Sequence, residues 1–140
     1  MIVVAISGKS NSGKTTLIEM LIKEFNSMGI KVLAVKHGKH FELDREGKDS
    51  YRMWCAGANV AMIGDGFTAL MVRGEIDPSK LGKIVGADVV LVEGFKNANI
   101  KKIVIGDISC EGKIILRLRS EDIFSGKINL KELALKILNC

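Results

Sequence analysis

Short apolar runs alternate along the chain with segments in which apolar side chains recur every three or four positions. The run IVVAI at residues 2–6 predicts a fully buried strand, and KVLAV at residues 31–35 predicts the next strand. Residues 14–28 predict a helix that ends at Gly29. The apolar positions of this helix are Leu17, Leu21, Ile22 and Phe25. Strand, helix and strand over about 35 residues form a βαβ unit, for which parallel strands and a right-handed crossover are expected.

The rest of the chain continues this alternation. Residues 36–47 are polar and predict a long loop, and residues 48–57 predict a short helix. Turn residues between two apolar runs predict a hairpin of residues 59–63 against 68–72. The later predictions are a helix from Pro78 to about Val85, a buried strand at 88–92, edge strands at 102–105 and 113–118, and a terminal helix at 129–139 with Leu130, Leu133, Leu135 and Ile137 as its apolar positions. This order predicts one α/β domain over residues 1–140, with three layers around a mostly parallel sheet.

The stretch GKSNSGKTT, residues 8–16, lies between the first strand and the first helix and contains the full pattern G-x-x-x-x-G-K-[ST]. Its glycines let backbone N–H groups point inward at phosphate oxygens, and the following helix adds the positive end of its dipole. Lys14 is expected to reach the β- and γ-phosphates, and the Thr15 hydroxyl to bind Mg²⁺. The motif therefore predicts a P-loop NTPase fold. Its expected phosphate-binding residues are Gly8, Lys9, Asn11, Ser12, Gly13, Lys14, Thr15 and Thr16.

A metal ion at such a loop also needs a carboxylate. Glu93 directly follows the apolar run VVLV, and the carboxyl ends of parallel strands lie at the same edge of a sheet as the phosphate loop. Glu93 is therefore the predicted Mg²⁺ ligand, with pairing to a nearby lysine as the structural alternative. Asp88 stands at the other end of the same strand and is expected to lie too far from the metal.

A second lysine, Lys9, stands five positions before Lys14. Its position resembles that of a lysine in the dimeric P-loop proteins that include the Min and Par ATPases, where this side chain reaches the partner subunit's nucleotide. KSNSGKTT keeps the spacing but lacks the two glycines that follow the lysine in that motif. Two interpretations stay open: a contact of Lys9 with phosphate across a dimer interface, and a solvated lysine near an anionic site.

Cations and carboxylates crowd residues 36–52, which we call the charged segment. Its two histidines lie three positions apart beside carboxylates, a pattern that suggests a metal site. The surrounding lysines and arginines disfavour a metal, however, because they repel cations and attract anions. The segment instead predicts a surface for a second polyanionic ligand or a switch that senses the γ-phosphate, with a solvated loop as the alternative.

Composition and charge narrow the function classes. The chain has 140 residues, of which 47% are hydrophobic and 26% charged, as in folded globular proteins. Its net charge of +5 suits an anionic ligand, but no basic run has aromatic residues interleaved, so nucleic acid is not an expected partner. No apolar run approaches the roughly 20 residues of a membrane span, and no leader pattern is present, so a cytoplasmic location is expected. Cys55, Cys110 and Cys140 show no metal spacing and are expected to be free thiols.

Three stretches resemble the MobB family, the molybdopterin-guanine dinucleotide biosynthesis protein B family. They are GKSNSGKTTL, KHGKHFELDREGKDSYRMWCAGA and ADVVLVEGFK, and they extend to Lys96. The first is common to many NTPases, whereas the second is similar to a specific family block, K-H-x-x-H…D-x-x-G-K-D-[ST]-x-R…A-G-A. Beyond Lys96 little matches, and no N-K-x-D guanine-binding motif is present.

The resemblance implies a homodimer that binds GTP with Mg²⁺, hydrolyses it weakly, and assists the guanylyltransferase that joins GMP to molybdopterin. On this basis residues 8–16 would hold the triphosphate, and Glu93 and Asp44 would serve the Mg²⁺. The residues that would line the nucleotide or pterin side are Lys36, His37, His40, Lys48, Asp49 and Arg52. Molybdopterin is then a further candidate ligand. No catalytic residue is identified, and the preference for GTP over ATP, as for molybdenum over tungsten, is not determined by the residues.

Two other functions share the phosphate loop. A small-molecule kinase needs a lid with arginines over the phosphates, and the candidate segment, Arg45 to Arg52, is short. A metallochaperone NTPase of the Min/Par-like class needs a Cys-x-Cys or His-rich metal motif, and the sequence contains neither. The expected function is therefore an accessory nucleotide-binding protein that is at most a slow, Mg²⁺-dependent GTPase.

Overall fold

Five parallel strands form a sheet in the part of the chain that the computed structural model describes, residues 1–39, 46–95 and 98–140. In chain order the elements are β1 (Ile2–Ser7), α1 (Lys14–Ser27), β2 (Val32–Lys36), α2 (Asp49–Cys55), β3 (Val60–Gly64), β4 (Phe67–Met71), α3 (Pro78–Val85), β5 (Val89–Glu93), β6 (Lys102–Ile105), β7 (Ile114–Leu118), α4 (Ser120–Phe124) and α5 (Leu130–Leu138). The chain divides into two compact units, residues 1–37 with 77–140 and residues 38–76. The prediction of one nucleotide-binding domain over residues 1–140 stays a prediction.

The strand order of the first unit is β2-β5-β1-β6-β7. The predicted parallel pairing is confirmed, but β5 lies between the two strands of the N-terminal βαβ unit. The prediction that residues 102–105 form an edge strand is wrong, because β6 lies between β1 and β7 and all four of its residues are buried. This short apolar run is an interior strand because it pairs with β1 on one side and with β7, the next strand along the chain, on the other. Residues 113–118 do supply the edge, as β7.

Helices α1 and α5 cover one face of the sheet. Leu17, Leu21 and Phe25 of α1 are fully buried and pack in one cluster with side chains of β1, β5, β6 and α5. Burying a side chain of this size contributes about 1.5–3 kcal/mol. In α5 the predicted apolar position Leu135 points to solvent, and the neighbouring Ala134 is buried in its place. The predicted three-layer α/β architecture requires a second helical layer on the opposite face.

Helix α3 provides that layer. At the start of the helix the Asp77 side chain accepts hydrogen bonds from the Ser79 hydroxyl, at 2.5 Å, and from the Ser79 N–H, at 2.8 Å; these two contacts lower the pKa of the Asp77 carboxyl. Gly82 allows close packing, because a Cβ there would lie 2.5 Å from Met1 Sδ and 2.6 Å from Val90 Cγ2. The α3 side of the sheet is therefore closely packed at this helix, and the fold has the predicted three layers.

Lys102 is a buried cation at the start of β6. Its side chain is 0% exposed, and its Nζ donates hydrogen bonds to the carbonyls of Ala98 and, at 3.2 Å, Ile100. Burial lowers the pKa of the Lys102 ammonium, whereas the nearby Cys110 and Glu111 oppose this shift. The lysine thus ties the connection from β5 to β6 against the sheet.

The second unit contains α2 and the antiparallel hairpin β3–β4. The predicted hairpin is confirmed, with Val60 opposite Met71 and Gly64 opposite Phe67. Arg73, just after the hairpin, lies 3.9 Å from the centre of the Trp54 ring and donates to the Trp54 carbonyl. This contact joins the hairpin to α2.

Two further expectations concern the described residues of both units. All three cysteines are free thiols, as predicted. Among residues 1–39, 46–95 and 98–140, no helix has the length and apolarity that crossing a bilayer requires.

Candidate functional site

The phosphate loop curls tightly between β1 and α1. Asn11 and Gly13 take positive φ angles of 61° and 107°, the left-handed region that favours glycine and tolerates asparagine. Gly8 is required for a different reason, because a Cβ there would lie 2.6 Å from Ser12 Oγ and 3.2 Å from Ile105 Cβ. The two glycines of the motif therefore serve distinct purposes, one steric and one conformational.

Lys14 folds its ammonium group back over this loop. Its Nζ donates hydrogen bonds of 2.8 Å to the Gly8 carbonyl and 3.2 Å to the Lys9 carbonyl. The Ser12 N–H donates to the same Lys9 carbonyl at 3.2 Å. The positive charge is thus held inside the curve of the loop, where phosphate oxygens are expected to bind.

Several hydrogen-bond donors at the loop have no partner among the described residues. The Ser12 hydroxyl is buried and makes no hydrogen bond there. Gly13 is the N-cap of α1 and has no side chain to cap the first N–H groups of the helix, and the first turn carries no acidic residue. An anion with several oxygens satisfies such donors and is also favoured by the helix dipole. The loop therefore fits a phosphate group.

Glu93 lies beside the loop, as the sequence predicts. It is paired with Ile6 across β5 and β1, and its Oε1 accepts a hydrogen bond of 2.8 Å from the Thr15 hydroxyl. Among the described residues, Glu93 forms no ion pair, so its alternative role of pairing with a lysine has no support there. Asp88 does stand at the other end of β5, where its carboxylate accepts a 2.9 Å bond from the Lys31 N–H. A hydroxyl and a carboxylate are hard oxygen donors, which suit Mg²⁺ together with phosphate and water oxygens.

A cavity of about 510 Å³ opens in front of these groups. This volume lies within the range of small-molecule sites, about 300–1,000 Å³. Lys36 and His37, two residues of the charged segment, line it together with the loop and Glu93. The His37 N–H donates to the Glu93 carbonyl at 3.0 Å, and its ring lies 4.0 Å from that of Phe95. The end of β2 is therefore held beside the end of β5.

The other predicted residues are placed as follows. The side chain of Lys9 is exposed, and this residue does not line the cavity. The other predicted site residues of the charged segment that the structure describes lie in the second unit, at the start of α2 or on it: Lys48, Asp49 and Arg52. His40 and Asp44 lie outside the described residues. The roles predicted for all of these stay predictions.

Two residues of the cavity wall, Gly94 and Phe124, are missing from the sequence-based site. Phe124 ends the short helix α4, which the pattern of apolar residues does not predict because five residues are too few to show a period. The available signal is Ser120 followed by Glu121 and Asp122, since acidic residues favour the first turn of a helix. Asp122 also pairs with Arg119 at 3.2 Å, and this carboxylate raises the pKa of the Arg119 guanidinium.

One family model and several proteins of known description match this chain. The model of a family described as "Molybdopterin guanine dinucleotide synthesis protein B" (MobB) matches residues 3–125. A "Molybdopterin-guanine dinucleotide biosynthesis adapter protein" of Haemophilus influenzae is 38% identical over 107 residues, which cover 71% of this chain and 60% of that protein. A "Probable molybdopterin-guanine dinucleotide biosynthesis adapter protein" of Bacillus subtilis is 36% identical over 110 residues, which cover 74% and 64%. The chain therefore spans less than two thirds of the length of these relatives.

Solved structures share the whole fold. The crystal structure of Bacillus subtilis MobB superposes with a TM-score of 0.71 at 26% sequence identity, covering 98% of each chain. A MobB protein homolog from Bacillus stearothermophilus superposes with a TM-score of 0.67 at 22% identity, covering 100% of each chain. The second likeness concerns the fold alone.

Proposed function

Because the chain belongs to the MobB family, we propose that it acts as an adapter in molybdenum cofactor biosynthesis and binds GTP with Mg²⁺ at its phosphate loop. Its partner would be the guanylyltransferase that joins GMP to molybdopterin. The adapter role is taken from the printed names of the relatives, and GTP from the family resemblance. The phosphate and metal chemistry is supported by the chain's own residues.

The hydrogen bond between Thr15 and Glu93 is the observation that carries the proposal. It brings a hydroxyl and a carboxylate within 2.8 Å of each other, next to the lysine that the loop holds inside its curve, and this arrangement supports a shared Mg²⁺ site. Thr15 and Glu93 would hold Mg²⁺, and Lys14 with the loop N–H groups would bind the β- and γ-phosphates. When bound, the ion neutralises negative charge on the phosphates.

Slow hydrolysis is part of the proposal. Among the described residues that line the cavity, Glu93 is the carboxylate; it accepts the Thr15 hydrogen bond and, in this proposal, would also bind the metal. A water molecule therefore lacks a carboxylate of this cavity as its general base. We expect GTP hydrolysis well below the roughly 1–100 s⁻¹ of kinases.

We also propose that molybdopterin binds near Lys36 and His37. Both residues line the cavity at its Glu93 side, and Lys36 adds a positive charge for an anionic ligand. Lys48, Asp49 and Arg52 remain candidates for the same ligand on the basis of the family block alone.

A homodimer is the proposed assembly, with the β3–β4 hairpin as its contact. Ile63 is 84% exposed, and Phe67 and Leu70 are exposed as well, so one hairpin presents several uncovered apolar side chains. A two-stranded hairpin is marginally stable by itself and gains from additional packing. A second copy of the chain would cover these side chains.

Isothermal titration calorimetry with GTP, ATP and molybdopterin, each with and without Mg²⁺, tests the proposed function. We expect Mg²⁺-dependent binding of GTP and binding of molybdopterin. Lys14→Ala should abolish the GTP signal, whereas Lys83→Ala, which removes an exposed lysine from α3, should leave it unchanged. Tight ATP binding without molybdopterin binding would contradict the adapter role, and rapid phosphoryl transfer to a metabolite would favour a kinase.

A further inference from the structure

Phe124 presents an aromatic ring to the cavity in front of the phosphate loop. It is 61% exposed, although the adjacent Ile123 is 2% exposed and packs into the main core. A Cβ at Gly13 would lie 3.2 Å from Ile123 Cγ2 and 3.4 Å from Phe124 Cζ, so both side chains stand directly against the loop. Buried Ile123 thus anchors α4, and this anchor holds the Phe124 ring at the cavity wall.

The strand order places this ring opposite the proposed metal site. Glu93 and Lys36 end β5 and β2, which lie on one side of β1. Helix α4 follows β7, which lies on the other side of β1. A triphosphate whose γ-phosphate and Mg²⁺ lie near Glu93 therefore has its ribose and base directed away from β5, toward α4.

We propose that Phe124 is a stacking platform for the nucleobase of the bound nucleotide. The inference rests on the proposed function, because it assumes that the loop holds a nucleoside triphosphate. Exposure alone does not single out Phe124, since Ile84 on α3 is 73% exposed. Phe124 combines exposure with a flat ring and a place in the wall of the phosphate-loop cavity. An aromatic ring stacks on any base, so it adds affinity for GTP and ATP alike without choosing between them.

The test compares nucleotides with inorganic tripolyphosphate, which contains the phosphates but no base. In calorimetric titrations with Mg²⁺, Phe124→Ala should weaken GTP and ATP binding roughly 5- to 150-fold, the range for loss of one stacked base. Tripolyphosphate affinity should stay within about twofold, since Lys14, Thr15 and Glu93 are untouched. Ile84→Ala is the matched control for removal of an exposed apolar side chain, and it should change neither ligand's affinity.

A second variant, Phe124→Trp, keeps a stacking ring and adds a fluorescent reporter. GTP should quench or shift its emission, measured against the wild-type signal of Trp54, whereas tripolyphosphate should not. Equal losses of GTP and tripolyphosphate binding in Phe124→Ala would overturn the inference, because they would show a disturbed loop. Unchanged GTP affinity would overturn it too, while leaving the proposed function intact. If the wild-type protein binds neither GTP nor tripolyphosphate, the proposed function fails, and the inference fails with it.

Discussion

The Thr15 hydroxyl donates a hydrogen bond of 2.8 Å to Glu93 Oε1, although 78 positions separate the two residues in the chain. The parallel pairing of β1 with β5, in which Ile6 lies opposite Glu93, brings them together. A strand end and a helix start that are distant in sequence thereby form one group of oxygen donors.

The charge of Glu93 should matter for Mg²⁺ more than its hydrogen bond. Glu93→Gln keeps an oxygen that accepts from Thr15 but removes the negative charge, so the metal-dependent gain in GTP affinity should fall about tenfold or more. Calorimetry at several Mg²⁺ concentrations measures this gain. Asp88→Asn, on the far end of the same strand, is the matched control and should keep the full metal dependence. A normal Mg²⁺ response in Glu93→Gln would remove this residue from the metal site.

Gly13→Ala should damage the protein more than Gly29→Ala. Both glycines have positive φ angles, 107° and 74°, but a Cβ at Gly29 meets nothing within 4 Å, whereas one at Gly13 meets Ile123 and Phe124. The left-handed backbone alone should cost about 1–2 kcal/mol in each variant. Gly13→Ala should show an additional loss of unfolding free energy in urea titrations, and weaker GTP binding. Equal stabilities of the two variants would show that the packing against α4 does not constrain the loop.

A substitution of Lys9 tests whether two copies of the chain share a nucleotide. Its side chain is exposed and does not line its own cavity, so we predict that it contacts phosphate of the partner copy. Lys9→Ala should then weaken GTP binding about tenfold or more in the dimer, the size expected for one charged hydrogen bond. The control combines Lys9→Ala with Ile63→Lys, a hairpin substitution expected to make the chain monomeric. In that background Lys9→Ala should have no effect on GTP affinity. Unchanged affinity together with unchanged dimerisation would leave Lys9 as an ordinary solvated lysine.

Self-association should depend on the hairpin. Ile63→Lys places a charge where a second copy would bury an apolar side chain, so sedimentation velocity should show a shift from dimer to monomer. Thermal stability of the monomer should change little, because Ile63 is exposed within its own chain. Ile84→Lys introduces the same charge at an exposed position of α3 and should leave the dimer intact. A dimer that persists in Ile63→Lys would move the interface elsewhere.

Burial of Lys102 should appear in the pH dependence of stability. Because burial lowers its pKa in the folded state, the unfolded chain binds more protons as pH rises toward the ordinary lysine value of about 10.4. The wild-type free energy of unfolding should therefore rise with alkaline pH relative to that of Lys102→Met. Urea titrations at several alkaline pH values measure the difference, with Cys110→Ser in both proteins because the Cys110 side chain acts on the Lys102 ammonium. Parallel pH curves would show that Lys102 keeps an ordinary pKa.

The phosphate loop and its carboxylate could be predicted because their signals are local. Gly8, Gly13 and Lys14 stand at a spacing that one short turn requires, and the apolar strand and helix on either side provide the context. Glu93 could be found because a residue that directly follows a buried parallel strand lies at a known edge of the sheet. The general architecture followed from the same alternation of strands and helices.

Other features depend on which distant segments meet, and no local pattern contains that information. The apolar run of residues 102–105 fits an edge strand or an interior strand equally, and only the pairing of β6 with both β1 and β7 decides between them. Phe124 lies in a five-residue helix that has too few positions for a hydrophobic period, so its place beside Gly13 comes from the anchoring of Ile123 in the core.

The sequence by itself therefore determined the loop that we propose to bind phosphate, since hydrogen-bond donors and glycines at fixed spacing act through the backbone of one turn. The tertiary structure alone decided what surrounds that loop: the carboxylate at 2.8 Å from Thr15, the ends of β2 and β5 on one side, and the aromatic ring on the other. The physical reason is that side-chain periodicity reports which face of an element is buried, whereas strand order and the packing of short helices depend on contacts across the whole core.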